Sequence, residues 1–327
     1  MMRKQQPVPY RLRLSHFYLF YLVMFHLFPR VLYHLIKRPY CRDVPAIDYE
    51  LSQQSRKQKR GLRALYDTML SFLLDGYIEL TGAKLAPGTG QMMFLLVELT
   101  KCLDEYLDEN LEAGGSLAMS EALEAPALQE QKAMFRRYLE LFGCAEPILK
   151  YVRQLFVTYY DTYVNILNTA RNNLQFEDIL EAAKIDTGIW FRSVMEVVIL
   201  FNKHQMNDEV LNDFFLFGMV GKFADDMADL VADVEQGSPN LLYALIRQNP
   251  EEYALLQFAM KKGERLNLAW WKKRCPLTYM HYFKYIEYYY QQIKSSKVRI
   301  ASMLMFVACA RGIKYPSYFL NNWGNVA

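Results

Sequence analysis

Two acidic segments of the sequence carry the residue types best suited to chemistry. They run from Lys101 to Glu112 and, about 120 residues later, from Lys222 to Asp233, and each begins with the pattern KxxD[DE]xxD. In a helix, residues four apart share a face, so each segment would present a stripe of carboxylates. The stripes are Asp104, Asp108 and Glu112 in the first segment and Asp225, Asp229 and Asp233 in the second. Because Mg²⁺ is usually held by one or two carboxylates together with waters and substrate phosphates, two facing stripes could bind a metal and diphosphate cluster.

The plain alternative is that both stripes are solvated faces of surface helices. Like charges four residues apart cost only a few tenths of a kcal/mol on an exposed helix, so energetics do not exclude this. Each acidic line, however, becomes apolar when it is continued toward the N-terminus. The apolar positions are Met93, Phe94 and Val97 before the first stripe and Phe214, Phe215 and Gly218 before the second. A helix that lines a pocket can run in this way from an apolar floor to an acidic rim, so we predict that the stripes face each other across one cavity.

The second stripe resembles an acidic motif of known isoprenoid enzymes. Its pattern DxxxDxxxDxxxGxxN, from Asp225 to Asn240, is similar to the second acidic motif of the tetraprenyl-β-curcumene synthase-like terpene synthases. The part from Asp229 to Gly237 is also similar to the second motif of squalene and phytoene synthases. The first stripe, DEYLD from Asp104 to Asp108, resembles the aspartate-rich DDxxD of class I isoprenoid synthases, with Glu in place of the second Asp.

This resemblance implies an all-α fold, namely a single large α-helical bundle of the class I terpenoid synthase type around a central cavity. It also implies three Mg²⁺ ions per site, with five carboxylates as metal ligands and catalytic residues: Asp104, Asp108, Asp225, Asp229 and Asp233. We expect four further side chains to bind the diphosphate: Lys222, Arg299, Arg311 and Tyr315. The break at 184–188, followed by Arg192, resembles the kinked helix with which these enzymes sense diphosphate. A structural ion pair with Glu196 is the alternative for Arg192.

The implied activity is that of a terpene synthase, a lyase that ionises an allylic prenyl diphosphate with Mg²⁺ and lets the carbocation cyclise or lose a proton. Metal ions stabilise the leaving diphosphate, and aromatic faces stabilise the cation. Candidate lining residues are Phe94, Trp190, Phe214, Phe215, Tyr282, Tyr285 and Tyr289, and membership of the core is the alternative for each. A squalene or phytoene synthase-like or chain-elongating prenyltransferase is the second reading of the chain. A non-catalytic helical protein associated with membranes is the third.

Long helices are the elements that must position these residues. The chain has 327 residues, of which 52% are apolar and 15% aromatic, with only 15 Gly and 12 Pro. Such a composition favours long elements with large side chains over short strands joined by turns. Helical spacing of apolar residues predicts helices over Leu62–Leu80, Gln91–Leu111, Glu130–Phe142, Pro147–Leu167, Phe176–Asn202, Val210–Val234 and Tyr279–Ala310. Turn-forming residues at 86–90, 112–116 and 236–240 mark breaks between them.

Charge and cysteine usage exclude other classes. Lys and Arg exceed Asp and Glu by only three, which is too little to hold nucleic acid by phosphate neutralisation. The five cysteines show no CxxC spacing, and their odd number fits neither a disulfide framework nor a cysteine zinc site. We therefore expect a reducing, cytoplasmic location. HExxH, GxSxG, P-loop and Rossmann glycine patterns do not occur in the sequence.

The N-terminal region, residues 1–45, is expected to be an aromatic and basic arm ahead of a helical domain over residues 46–327. Its uncharged run from Leu14 to Pro29 has 16 residues, where a membrane span needs about 20. Basic residues flank this run on both sides, which is typical of a segment that lies in a lipid headgroup layer. We expect the arm to pack on the bundle, and peripheral membrane contact is the alternative.

Overall fold

A computed structural model of the chain describes residues 69–112, 119–173, 175–264, 266 and 268–310. Every regular element within these residues is a helix and none is a strand, which confirms the all-α prediction for this part of the chain. All of them belong to one compact unit. The predicted arm over residues 1–45 and its boundary lie outside the described residues, as do Arg311 and Tyr315.

The first helix of the described residues, α1, covers residues 69–81. The others are α2 Thr89–Glu112, α3 Met119–Ala122, α4 Pro126–Leu141, α5 Ala145–Asn173, α6 Phe176–Ala183, α7 Trp190–Phe201, α8 Asp208–Gln236, α9 Leu241–Arg247, α10 Pro250–Lys261, α11 Leu268–Arg274, α12 Pro276–Gln292 and α13 Ser296–Ala310, and a π-helix, Lys184–Ile189, joins α6 to α7.

Helix α8 is the centre of this unit. It packs against α13, α7, α12, α9 and the π-helix. Between Val210 and Ala224 its buried residues point in all directions around the axis, as expected of a helix surrounded by other helices. Asn207 begins the helix, because its side chain accepts the backbone N–H groups of Glu209 and Val210. The central position of α8 places its C-terminal acidic half at the edge of the core.

Two long predicted helices are interrupted in the structure. Within the predicted helical segment Phe176–Asn202, the π-helix between α6 and α7 coincides with the break that the sequence indicated at 184–188. The prediction of a single helix over Tyr279–Ala310 is wrong, because α12 ends at Gln292 and α13 begins at Ser296. The buried carboxylate of Asp213 on α8 accepts the backbone N–H groups of Lys294 and Ser295 at 2.7–3.0 Å. A helix running through that point would need those two N–H groups for itself.

The membrane-spanning potential of the described helices is low. No helix within the described ranges combines the length and the apolar character that a crossing of the bilayer requires.

Candidate functional site

The second acidic stripe occupies the C-terminal half of α8. On the helix face that carries the stripe, the earlier residues Phe214 and Gly218 are buried. Eleven residues after Phe214 the same face reaches solvent at Asp225, which is exposed, and Asp229 and Asp233 are half-buried. The helix therefore runs from a buried apolar end to an accessible acidic end along one face.

The pKa of Asp225 is raised, and neighbouring carboxylates contribute to that shift. Although Asp225 reaches solvent, protein atoms crowd its carboxyl group, and this desolvation is the main reason that its pKa rises to about 6. The positive charge of Lys222 opposes the shift, whereas the negative charges of Asp229, Asp226 and Asp186 add to it. The stripe thus holds more negative charge than its surroundings compensate, and a bound cation would relieve that repulsion.

The pKa of Asp233 is raised for the same reasons. Burial is the largest cause, and repulsion from Asp229 and Asp225 adds to it. The side chain of Asn240 and the charge of Lys222 oppose the shift. The third acid of the stripe therefore belongs to the same electrostatic cluster as the first two.

Asp226 is a member of the cluster that the sequence motifs did not single out. Its side chain is 1% exposed, and burial raises its pKa even though Lys222 opposes the change. Lys222 Nζ lies 3.0 Å from one carboxylate oxygen, and the backbone N–H of Leu241 donates to the other at 2.7 Å. The adjacent Asp pair and the spacing of four from a Lys are the only sequence signals for this role. Asp226 holds the positive charge of Lys222 in place next to the stripe.

The glycine and the asparagine of the motif turn the chain back toward the acidic helix. Gly237 has φ 71°, the left-handed conformation that commonly ends a helix, and the N–H of Ser238 donates to Asp233 O at 2.7 Å. The buried side-chain amide of Asn240 then donates to Asp226 O and to Asp233 Oδ2, each at 2.7 Å. Its oxygen accepts the N–H of Tyr243 at 3.0 Å and so begins α9. The motif thereby fixes the last turns of α8 and the orientation of Asp233.

The π-helix supplies a further carboxylate to the cluster. Asp186 Oδ2 lies 3.9 Å from Lys222 Nζ and accepts a hydrogen bond from the Thr187 hydroxyl at 3.1 Å. The backbone of this segment approaches α8 very closely, since a Cβ atom on Gly218 would collide with the carbonyl group of Thr187. A Cβ atom on Gly188 would likewise collide with an aromatic ring of α8. Two glycines therefore allow the approach that brings Asp186 to the cluster.

Arg192, the residue compared with a diphosphate sensor, is held by acidic side chains. It donates to Glu196 at 3.0 Å and to Asp208 at 2.6 Å. The hydroxyl of Tyr151 also donates to Glu196. These contacts match the alternative to a diphosphate sensor, namely a structural ion pair with Glu196.

The first acidic stripe lies on α2. Asp104 is exposed, and Lys101 forms an ion pair at 3.4 Å with Glu105. Asp108 belongs to the same helix, but its side chain lies outside the described structure. Helices α2 and α8 both pack against α7 and have few direct contacts with each other among the described residues. The facing arrangement of the two stripes across one cavity therefore stays a prediction.

The predicted diphosphate ligands separate into different regions. Lys222 lies within the acidic cluster, as described above. Arg299 donates to the carbonyl oxygens of Ile293 and Gln291, at 2.6 and 3.2 Å. Burial raises the pKa of Asp213, and the nearby positive charge of Arg299 opposes that shift. Asp213 precedes Asp225 by twelve residues, about 18 Å along a helix. The structure therefore does not bring Arg299 together with the acidic stripe.

Several of the candidate aromatic residues belong to the core. Phe214, Tyr282 and Tyr289 are buried, and the hydroxyl of Tyr282 donates to the carbonyl oxygen of Phe223 at 2.7 Å. The ring of Phe223 also stacks on Tyr285 with 5.8 Å between the ring centres. The remaining candidates are half-buried and so have a face that another group can reach: Phe94, Trp190 and Phe215.

The donor set of the cluster fits Mg²⁺ bound jointly with a phosphate ligand. No three His, Cys, Asp or Glu side chains of the described residues form a group that could hold a metal ion by itself. Mg²⁺ does not require one, because it usually keeps waters and takes one or two carboxylates together with substrate phosphates. Carboxylate oxygens are the hard ligands this ion prefers.

Comparisons with protein-family models, with curated proteins and with solved structures found no match to this chain.

Proposed function

We propose that this protein is a class I terpene synthase that ionises an allylic prenyl diphosphate with the help of Mg²⁺. The observation that carries the proposal is the acidic line of α8, in which Asp225, Asp229 and Asp233 follow directly on buried apolar turns. A substrate of this class has a charged head and an apolar chain. A surface that changes from acidic to apolar along one helix face matches both parts of such a molecule.

In this proposal the acidic stripes bind the metal and diphosphate together. Asp225, Asp229 and Asp233 would hold Mg²⁺ from one side, and Asp104 and Asp108 from the other. When bound, the ion would neutralise the charge that develops on the departing diphosphate. The number of ions, three per site, and the diphosphate contacts of Arg311 and Tyr315 belong to the same hypothesis and rest on the resemblance.

The residues around the stripe would prepare it for that ligand. Asp226 and Asp186 hold Lys222 beside the stripe, and its positive charge favours the ionised form of Asp225. Because the pKa of Asp225 is about 6, the carboxylate is largely ionised at neutral pH and protonated in mild acid. Metal affinity should therefore fall as the pH decreases through that value. Asn240 holds Asp233, the C-terminal acid of the stripe, through a hydrogen bond.

The apolar turns before the stripe would receive the prenyl chain and exclude water from the cation. The ring of Phe215 packs against the π-helix at Gly188, and Trp190 follows that segment directly. Both rings are half-buried, and aromatic faces attract a nearby cation by about 0.5 to 2 kcal/mol each. The cation would then lose a proton, directly or after closing a ring that moves the positive charge to another carbon, to give a neutral product.

The alternatives differ in what the protein releases. We would incubate the full-length protein with allylic diphosphates of increasing chain length, with Mg²⁺ or with a chelator, and analyse the products by mass spectrometry. A terpene synthase releases diphosphate and yields a hydrocarbon or alcohol with the carbon number of its substrate. A squalene synthase-like or chain-elongating enzyme yields a product with more carbons. A folded protein that releases no diphosphate from any of these substrates would refute the proposal.

The proposed location is the cytoplasm. The three cysteines for which the structure gives a state, Cys102, Cys144 and Cys275, are free thiols. Burial raises the pKa of Cys275 to about 12, and Glu252 adds to the shift, so this thiol is unreactive at neutral pH.

A further inference from the structure

A surface of mixed apolar and basic character lies on helices α10, α11 and α12. Four large apolar side chains of this surface are exposed by 40% to 61%: Leu255, Phe258, Leu277 and Tyr288. Isolated exposed apolar residues are common on protein surfaces, but grouped ones usually mark a contact with another molecule.

Helix α10 contacts the beginning of α12. Glu252 on α10 is buried, and its carboxylate accepts the backbone N–H groups of Leu277 and Thr278 at 2.8 Å each. This contact caps the beginning of α12. Leu255 lies three residues after Glu252, and residues with this spacing are adjacent on a helix. Leu255 and Leu277 therefore flank the same junction between the two helices.

Each helix extends this surface along one line. On α10, Leu255, Phe258 and Lys262 follow at intervals of three and four residues, and Lys262 Nζ lies 4.4 Å from the ring centre of Phe258. On α12 the line of exposed residues consists of Leu277, His281, Lys284 and Tyr288. Neither line has an acidic residue between its apolar ends. The surface thus combines apolar side chains with the positive charges of Lys262 and Lys284.

The charge of the surface is strongly asymmetric. Five exposed lysines and arginines occur among the described residues between 261 and 274: Lys261, Lys262, Lys272, Lys273 and Arg274. The exposed acids of this region are Glu251, at the start of α10, and Glu264, which accepts the indole N–H of Trp270 at 3.0 Å. The whole chain, by contrast, has a net charge of only +3. A positive excess of this size complements a negative partner.

We infer that this surface, defined by Leu255, Phe258, Leu277, Tyr288 and the basic residues from 261 to 274, docks on an anionic lipid bilayer. Phenylalanine, leucine and tyrosine enter the boundary between headgroups and acyl chains, while lysine and arginine stay at the level of the lipid phosphates. Anionic lipids attract basic residues near the membrane surface, and salt weakens this attraction. The inference does not depend on the proposed chemistry of the acidic stripe.

The experiment uses the full-length protein and flotation with two kinds of vesicle: phosphatidylcholine alone, and phosphatidylcholine mixed with phosphatidylserine. We expect binding to the anionic vesicles only, and weaker binding at high salt. Changing Lys272, Lys273 and Arg274 together to Gln should weaken binding by at least about tenfold. Phe258→Ser should weaken it several-fold at unchanged charge.

Matched variants on other surfaces serve as controls. Leu141→Ser removes an apolar side chain that is 52% exposed on α4, and Arg137, Lys150 and Arg153 changed together to Gln remove three exposed charges on α4 and α5. Binding of these controls should equal that of the wild type.

Three results would overturn the inference. The first is a lack of binding to anionic vesicles by the folded wild-type protein. The second is undiminished binding of the variants, which would assign the membrane contact to another region such as residues 1–45. The third is a change of oligomeric state in Phe258→Ser without any vesicle binding, which would identify the surface as an interface between copies of the chain.

Discussion

Asn240 offers a quantitative test of how the motif stabilises the end of the acidic helix. Its side chain is fully buried and makes three hydrogen bonds, to Asp226 O, to Asp233 Oδ2 and from the N–H of Tyr243. Loss of an N-cap costs about 1 kcal/mol. Loss of a neutral hydrogen bond costs about 1 kcal/mol, and one to a carboxylate about 1.5 kcal/mol or more. Asn240→Ala should therefore lower the free energy of unfolding by about 3 to 4 kcal/mol at neutral pH.

Two other asparagines provide an internal scale for this substitution. Asn249 stands at the N-cap of α10 but makes no capping hydrogen bond with its side chain, so Asn249→Ala should change stability by less than about 0.5 kcal/mol. Asn207 stands at the N-cap of α8. Its side-chain oxygen accepts the backbone N–H groups of Glu209 and Val210, which are its two side-chain hydrogen bonds to the described residues. Asn207→Ala should cost about 1 kcal/mol.

Thermal unfolding followed by circular dichroism would rank the three variants. With an unfolding entropy of about 2 cal/mol/K per residue over 327 residues, a loss of 3 kcal/mol lowers Tm by about 5 °C. The expected order of Tm loss is Asn240→Ala, then Asn207→Ala, then Asn249→Ala. Equal effects at Asn240 and Asn249 would refute the role assigned to the motif asparagine.

Two further substitutions test the packing and the charge of the site. Gly218→Ala should lower stability by about 2 kcal/mol in thermal unfolding, because its Cβ atom would collide with the backbone of Thr187. Gly221→Ala, whose Cβ atom meets only the flexible end of a methionine, should be near neutral, and an equal loss in both would contradict this reason. The pKa of Asp225, raised to about 6, means that this carboxyl group stabilises the fold when protonated and loses that contribution as the pH rises through 6. Asp225→Asn should therefore raise Tm at pH values above about 7 and leave it unchanged below about pH 4, and a gain of equal size at both would argue against the assignment.

Much of the helical framework could be predicted because its signals are local. Apolar spacing gave α2 and α8 within two residues at each end, and the turn residues at 236–240 marked the end of α8. The short helices α9 and α11, of seven residues each, are too short to show a period and were not predicted. The run of apolar residues along α8 also allowed the prediction that its acidic line continues into the interior.

The interactions that the sequence did not reveal connect residues far apart in the chain. The break between α12 and α13 depends on Asp213, about 80 residues earlier, whose carboxylate binds two backbone N–H groups there. The role of Asp226 depends on the position of Leu241 after the turn. The sequence indicated a break at 184–188, but the close approach of the π-helix to α8 depends on Gly188 and Gly218 lying opposite each other. Local patterns cannot encode such contacts.

The central claim, that the acidic stripe of α8 supports Mg²⁺-dependent ionisation, is tested most directly by diphosphate release from an allylic prenyl diphosphate. We would compare the wild type with Asp229→Ala and with Glu235→Ala, which removes an exposed acid of the same helix outside the stripe. The proposal predicts Mg²⁺-dependent release by the wild type and by Glu235→Ala. It predicts no release by Asp229→Ala, with Tm unchanged or slightly higher because a repulsive charge is removed. Full release by folded Asp229→Ala would contradict the claim.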